Sequence, residues 1–149
     1  MAKFDERNNA EYAKGLSATL SGTTPAKGNI INMQGFEALT FVVQTGTVTD
    51  AGTASGFAFE VQESDTTADA DFTAVADADL IGLESELTVT LDTADDDIIG
   101  SIGYVGSKQY VRIVATGTTG TAAYVAAIAI KRRPALAGTA AIAADIAAT

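Results

Sequence analysis

Apolar and polar residues alternate with a period of two in several short stretches of the chain. In one of them, Phe57, Phe59 and Val61 are predicted to point to one side and the residues between them to the other, as along a β-strand. No stretch of useful length has the period of a helix. Comparable stretches, separated by turns rich in Gly, Thr and Asp, are 16–20, 38–44, 87–91, 109–115 and 121–131. The pattern predicts an all-β protein, an antiparallel β-sandwich or barrel of about 7–9 short strands with extended N- and C-terminal arms.

The same pattern divides the chain into three parts. Residues 1–15 are predicted to form an N-terminal arm that ends at Gly15, residues 16–134 the β-sandwich domain, and residues 135–149 an alanine-rich C-terminal tail. Within the domain, the glycine- and threonine-rich stretch 45–56 is predicted to be a loop. The tail has two open interpretations, a flexible tail or an arm that becomes ordered against a neighbouring subunit.

The last strand contains the longest apolar stretch of the chain. Its large residues Tyr124, Ile128 and Ile130 are predicted to face the core, with alanines on the opposite side. Residues 122–130 are too few to span a bilayer, and the polar residues 1–14 do not have the pattern of a signal peptide. We therefore expect no contact with a membrane.

The amino-acid composition argues against an enzyme. The chain of 149 residues has no histidine and no cysteine, which removes the commonest general base and the thiol nucleophile. It also excludes disulfides. We expect no catalytic residue, no cofactor and no bound metal.

The net charge of −10 disfavours nucleic acid as a partner, because phosphate binding requires a basic surface. The charge is also uneven, since residues 28–107 contain no lysine or arginine. One interpretation is an ordinary acidic surface that keeps the protein soluble. The other is an acidic body with basic edges that bind an acidic partner.

Acidic residues lie in two loops, 65–71 and 92–97, that resemble calcium-binding loops in composition. Neither has the spacing of an EF-hand, so solvated acidic turns are the favoured interpretation. Paired carboxylates such as Asp69 and Asp71 could serve a glycosidase, but few aromatic residues are present to bind a sugar. Lys108 is predicted to lie in a turn with no carboxylate in local register, which argues against a lysine base.

Protein interfaces are enriched in tyrosine and arginine, and this chain has a small set of both. Tyr110 and Arg112 are predicted to share a strand face opposite Val111 and Ile113. The basic residues near either end are the candidates for a docking arm. The candidate interface residues are Lys3, Arg7, Tyr104, Tyr110, Arg112, Arg132 and Arg133.

Five segments together have a familiar order and spacing. They are FEALTFVV (36–43), FEVQESD (59–65), FTAV (72–75), DADLIG (77–82) and IGYVGSKQYVR (102–112). This set resembles small proteins encoded among the head genes of tailed phages, the capsid decoration or cement proteins. The resemblance covers roughly residues 29–133.

The resemblance implies a β-sandwich or barrel with extended arms, a homotrimer as such proteins often are, that clamps the junctions between capsomers. It implies that the major capsid protein and further copies of the chain are the partners, that the protein is part of the virion surface, and that it has no catalytic residues. The basic N-terminal segment or the Arg132–Arg133 end would be the docking arm.

Two other functions stay open at this point. A tail-tube, neck or head-completion component would belong to the same structural class but form larger rings. A carbohydrate-binding or adhesion module is disfavoured, because the chain has no tryptophan and only four tyrosines to form a sugar platform.

Overall fold

The computed structural model describes residues 9–50, 56–89, 99–119 and 121–134. Within them, ten strands form two antiparallel sheets. The first sheet has the order β1-β10-β4-β8-β7, and the second has the order β2-β9-β5-β6 with β3 also paired to β9. The strands are β1 (Ala10–Ser21), β2 (Ala26–Lys27), β3 (Ile31–Asn32), β4 (Phe36–Asp50), β5 (Ala58–Ser64), β6 (Thr73–Ala74), β7 (Leu80–Ile81), β8 (Ile99–Tyr104), β9 (Tyr110–Thr116) and β10 (Ala122–Pro134).

The two sheets enclose one hydrophobic core, so the predicted all-β, antiparallel sandwich is confirmed. Phe41 and Tyr104 come from the first sheet, and Phe59 and Ile113 from the second. Four of the ten strands have only two residues and are too short to show alternation in the sequence, which explains why fewer strands were predicted.

The prediction for the last strand was wrong about which side is buried. The inner face of β10 is formed by small residues, and Ala127 and Ala129 are almost fully buried. Tyr124 and Ile128 are about half exposed, at 48% and 53%. The pairing of Ala129 with Phe41 gives the physical reason, because the large side chains of the neighbouring strand β4 fill the space in front of the alanines.

The predicted loop at 45–56 was also wrong in its first part. Strand β4 continues to Asp50, and the side chains of Thr45 and Val48 are buried. The pairing with β10 shifts between these two residues, which leaves Gly46 and its neighbour in a bulge. Threonine suits a strand, and a glycine in a bulge does not end one.

Residues 10–15 of the predicted N-terminal arm belong to the first sheet. Strand β1 begins at Ala10, and Gly15 lies in a bulge inside this strand rather than at its start. Residues 1–8 and the predicted tail, 135–149, lie outside the described residues. Pro134, the predicted end of the domain, is the last residue of β10.

A short backbone bridge joins the edges of the two sheets. The N–H of Gly28 donates to the carbonyl oxygen of Ile113 in β9 at 2.8 Å, and the N–H of Asn29 donates to the carbonyl oxygen of Gly15 in β1 at 2.7 Å. A Cβ atom on residue 28 would lie 2.5 Å from the Gly15 oxygen and 2.6 Å from the Ile113 oxygen. The bridge therefore requires glycine at position 28.

A glutamate side chain covers part of the edge of β5. The carboxylate of Glu84, in the short 3-10 helix Glu84–Leu87, accepts a hydrogen bond from the backbone N–H of Val61 at 2.6 Å. Burial raises the pKa of Glu84, although the Val61 N–H partly offsets this. Folding thus shifts the protonation equilibrium of Glu84 toward the neutral form relative to the unfolded chain.

Two substitutions of Glu84 should distinguish the effect of its charge on stability from the effect of its hydrogen bond. Because the folded pKa of Glu84 is raised, the wild type loses stability as the pH rises above the ordinary glutamate pKa of about 4.3. Glu84→Gln keeps the acceptor without the charge, so it should equal the wild type at pH 3 and exceed it at pH 7. Glu84→Ala leaves the Val61 N–H without this acceptor and should cost about 1–3 kcal/mol at both pH values. Urea denaturation at the two pH values measures this, and equal stability of all three proteins at pH 7 would contradict it.

Candidate protein-contact surface

The structure separates the seven candidate interface residues. Lys3 and Arg7 lie outside the described residues, and Arg133 lies in β10 without a described side chain. Arg132 is exposed at the end of β10, and Tyr110 is half-buried. The remaining two, Tyr104 and Arg112, are buried, at 1% and 5% exposure, and each has an internal partner.

Tyr104 connects the two sheets instead of facing a partner protein. From β8 its hydroxyl donates to Glu63 Oε2 in β5 at 2.6 Å and accepts from the backbone N–H of Lys108 at 2.9 Å. Burial, together with the hydrogen bond to Glu63, raises the pKa of Tyr104 well above its ordinary value. The interface prediction for Tyr104 was therefore wrong, because the residue type suits a buried hydrogen-bonded site equally well.

Arg112 does lie on the face of β9 opposite Val111 and Ile113, but the chain covers this face itself. The guanidinium Nε donates to Gln62 Oε1 at 2.9 Å, and Nη1 contacts Asp69 Oδ1 at 2.5 Å. Its Cζ atom lies 4.1 Å from the centre of the Phe72 ring, in a cation–π arrangement. The interface prediction for Arg112 was wrong because the acidic segment 65–71 folds back onto the second sheet.

The acidic segment itself is held by ion pairs. Asp69 also binds Lys27 of β2 at 2.5 Å, and hydrogen bonds from Lys27 and then Arg112 lower the pKa of its carboxyl. Asp65 lies 2.6 Å from Lys108 Nζ. Within the described ranges, no group of three or more acidic side chains could hold a metal ion, and residues 92–97 lie outside those ranges.

Lys108 has a carboxylate partner, Asp65, that comes from outside its local register. Its partner comes from the segment after β5, 43 residues away in sequence, which local register could not reveal. The hydrogen bond and charge of Asp65 raise the pKa of Lys108. The ammonium group is therefore held in its protonated form, which is the wrong state for a general base.

The outer face of the first sheet, unlike that of the second, has large apolar side chains that are exposed. Cross-strand neighbours on this face include Tyr12 with Ile130, Ile130 with Thr40, and Ile128 with Val42. Several of these side chains are substantially exposed, with Tyr12 at 54% and Ile128 at 53%. We call this surface the exposed apolar face. Its larger or apolar members are Tyr12, Thr40, Val42, Ile81, Tyr124, Ala126, Ile128 and Ile130, and the polar side chains among them are Lys14, Ser17, Thr19, Gln44 and Ser101.

Two side chains at opposite parts of the face have defined positions. The hydroxyl groups of Tyr124 and Ser17 are 2.9 Å apart, which ties the ring to β1. Tyr124 lies in ordinary contact with the position of a Cβ on Gly46, and the Cβ of Ile81 lies 3.1 Å from that on Gly103. Gly103 of β8 therefore leaves room for Ile81 of the adjacent strand, whereas a Cβ atom on Gly46 would still fit beside Tyr124.

Negative charge is absent from this surface among the described residues. Its charged side chains are both basic, because Lys14 of β1 pairs with Ile128 and Arg132 lies at the end of the outer row of β10. This contrasts with a chain that has 19 acidic residues and a net charge of −10. Large exposed apolar areas on one side of a soluble protein mark sites of protein contact.

The large residues of β10 that lie on this face were predicted from the sequence to face the core. From Ala123 to Ile130 the odd positions of β10 are alanine and valine, and the even positions are Tyr124, Ala126, Ile128 and Ile130, so both faces look suitable for a core. The signal that could have identified the outer face is the partner strand β4, because its larger residues Leu39, Phe41 and Val43 fill the interior.

No helix within the described part of the chain is long and apolar enough to cross a membrane. The sequence matches no known protein-family model, and no curated protein matches it at a significant level.

Proposed function

We propose that this chain is a structural, non-enzymatic protein that decorates the outer surface of a tailed-phage capsid, with the major capsid protein as its partner and the virion as its location. The observation that carries the proposal is the exposed apolar face, a surface that has no acidic side chain among the described residues of an otherwise acidic protein. The resemblance of five segments to decoration proteins supports the choice of a capsid as the setting.

The two sides of the sandwich support a role in protein contact. The second sheet is covered by the chain's own segment 65–72, through Asp69 and Phe72 against Arg112. The first sheet has no such cover among the described residues, and its side chains present aromatic and β-branched groups. A surface of this kind gains free energy by burial against another protein without any chemical step.

Binding to undecorated capsids tests the proposal. Purified protein should co-sediment with capsids that lack their decoration protein, in a saturable amount proportional to the number of capsomers. Capsids that already have the protein bound should take up little more, which is the matched control. Absence of co-sedimentation with undecorated capsids would contradict the proposal, and a stable ring of six or more copies would favour a tail-tube or neck component instead.

A further inference from the structure

We infer that Lys14 determines which protein surface the exposed apolar face binds, namely an apolar surface with a carboxylate opposite the Lys14 ammonium group. The same ammonium group excludes a second copy of this chain from the face. The inference rests on the proposed function for the identity of the partner, and it adds the chemistry that the capsid surface presents at the contact. Three observations on the described residues lead to it.

The first observation is the position of Lys14 within the face. Lys14 pairs directly with Ile128 of β10, and Ile128 pairs in turn with Val42 of β4, so the three residues form one row across the sheet. Directly opposed residues on neighbouring strands have Cβ atoms about 4.5–5.5 Å apart. Lys14 is exposed, and Ile128 is exposed at 53%. A protein that covers Ile128 therefore also covers at least part of the Lys14 side chain.

The second observation is that Lys14 has no partner among the described residues. The described ion pairs are made by other basic residues, namely Lys27, Lys108, Arg112 and Lys131. Arg132, the other basic residue of the face, already interacts within the chain. In the part of the chain that the structure describes, Lys14 is therefore the charged side chain of the face that remains available to a partner protein.

The third observation is the contrast between this single ammonium group and its apolar surroundings. An ammonium group that is removed from water without a partner is strongly unfavourable, whereas a hydrogen-bonded carboxylate offsets much of that loss. A purely apolar partner surface would leave Lys14 unpaired beside Ile128. A partner surface with a carboxylate opposite Lys14 buries the apolar side chains and pairs the charge in the same contact.

The same requirement excludes a second copy of this chain from the face. The exposed apolar face has no acidic side chain among the described residues, so two such faces placed together contain two Lys14 ammonium groups and no carboxylate. The net charge of −10 adds a general repulsion between copies. A lysine on an edge strand is one of the devices by which natural β-proteins prevent unwanted association of their sheets.

Self-association of the free protein tests the exclusion of a second copy. Lys14→Met keeps a long unbranched side chain and removes its charge, so it should raise the self-association constant at least tenfold, as measured by sedimentation velocity over a range of concentrations. Lys27→Met is the matched control, because it changes the net charge equally at an exposed lysine of the second sheet. Unchanged self-association of the Lys14→Met variant, or an equal rise in both variants, would overturn the inference.

Affinity for undecorated capsids tests the carboxylate. Lys14→Met should weaken co-sedimentation at least tenfold, because the carboxylate of the capsid surface loses its partner, although the face itself becomes more apolar. Lys14→Glu should weaken it further through repulsion between carboxylates, and Lys14→Arg should bind as the wild type does. A Lys14→Met variant that binds capsids as tightly as the wild type, or more tightly, would overturn the inference, since burial of apolar area would then account for the binding.

Carbodiimide coupling tests the contact itself. A water-soluble carbodiimide activates a carboxyl group and leaves as a urea when a neighbouring amine forms the amide, so it joins groups that are already in contact. The wild type bound to capsids should give a cross-linked peptide that contains Lys14, identified by mass spectrometry. Lys14→Arg should bind without this product, because its guanidinium stays protonated. A wild type that binds capsids without a cross-link at Lys14 would overturn the inference.

The inference and the proposed function can fail separately. A wild type that binds undecorated capsids, together with a Lys14→Met variant that binds them equally well, would overturn the inference alone. A wild type that does not bind capsids would contradict the proposed function, and the self-association of the Lys14→Met variant would still support or overturn the role of Lys14.

Discussion

A single methyl group added at Gly28 is expected to destabilise the protein by about 3 kcal/mol, the upper part of the range for overpacking. In Gly28→Ala the new Cβ would lie 2.5 Å and 2.6 Å from the carbonyl oxygens of Gly15 and Ile113. Both are backbone atoms, so no side chain can rotate away, and relief requires separation of the two sheet edges. That separation also lengthens the hydrogen bonds of Gly28 and Asn29. Urea denaturation at pH 7 measures the loss.

Gly46→Ala is the control for this substitution. Gly46 also lies in the sheet region, but a Cβ there would make an ordinary contact of 3.6 Å with Tyr124. The variant should differ from the wild type by less than about 1 kcal/mol, and the lower backbone entropy of alanine in the unfolded chain favours it. Similar stabilities for the Gly28→Ala and Gly46→Ala variants would show that the backbone bridge between the sheets tolerates a Cβ atom at residue 28.

Removal of the Tyr104 side chain is expected to have the largest effect. Tyr104→Ala should cost about 3–5 kcal/mol, because it empties one of the largest fully buried positions and removes the connection between β8 and β5. Tyr104→Phe keeps the ring and removes only the hydroxyl, which leaves Glu63 and the Lys108 N–H without this partner. It should cost about 1–3 kcal/mol. Chemical denaturation at pH 7 gives both values.

Alkaline pH gives a second test of the same residue. The raised pKa of Tyr104 means that the unfolded chain ionises first as the pH passes the ordinary tyrosine pKa of about 10. Wild-type stability should therefore fall as the pH rises above about 10, and Tyr104→Phe should lack part of this fall. Tyr124→Phe, at an exposed position, serves as the control and should follow the wild-type profile. An identical decline in all three proteins would contradict a hydrogen-bonded Tyr104 hydroxyl.

The long strands were predictable because their alternation is strong and local. Residues 57–63 match β5 (Ala58–Ser64), and residues 109–115 match β9 (Tyr110–Thr116), with Phe59 and Ile113 buried as expected. The side of β10 that is buried was not predictable in the same way. Both of its faces are apolar, so the choice depends on the size of the partners in β4, which is a property of the assembled sheet.

The roles of the candidate interface residues depended on contacts between distant segments. Arg112 and Asp69 are 43 residues apart, and Tyr104 and Glu63 are 41 residues apart. An exposed arginine and a buried one have the same local pattern in a strand, so the sequence alone could not distinguish them. Arg132, at the end of β10, was placed at the surface as expected, and its role in binding stays a prediction.

The position of β10 has a consequence for synthesis of the chain on the ribosome. This strand lies between β1 and β4, so the earliest strand of the sheet has no neighbour in the ladder until the residues up to Pro134 are made. Strands β4 and β8 can pair earlier, but β1 waits for more than a hundred residues of further chain. Pairing of β1 should therefore be completed only after the residues up to Pro134 have left the ribosome, at the slow rate typical of distant strand pairing. During this interval, the edges of β1 and β4 that later pair with β10 are open to a chaperone or to a neighbouring nascent copy.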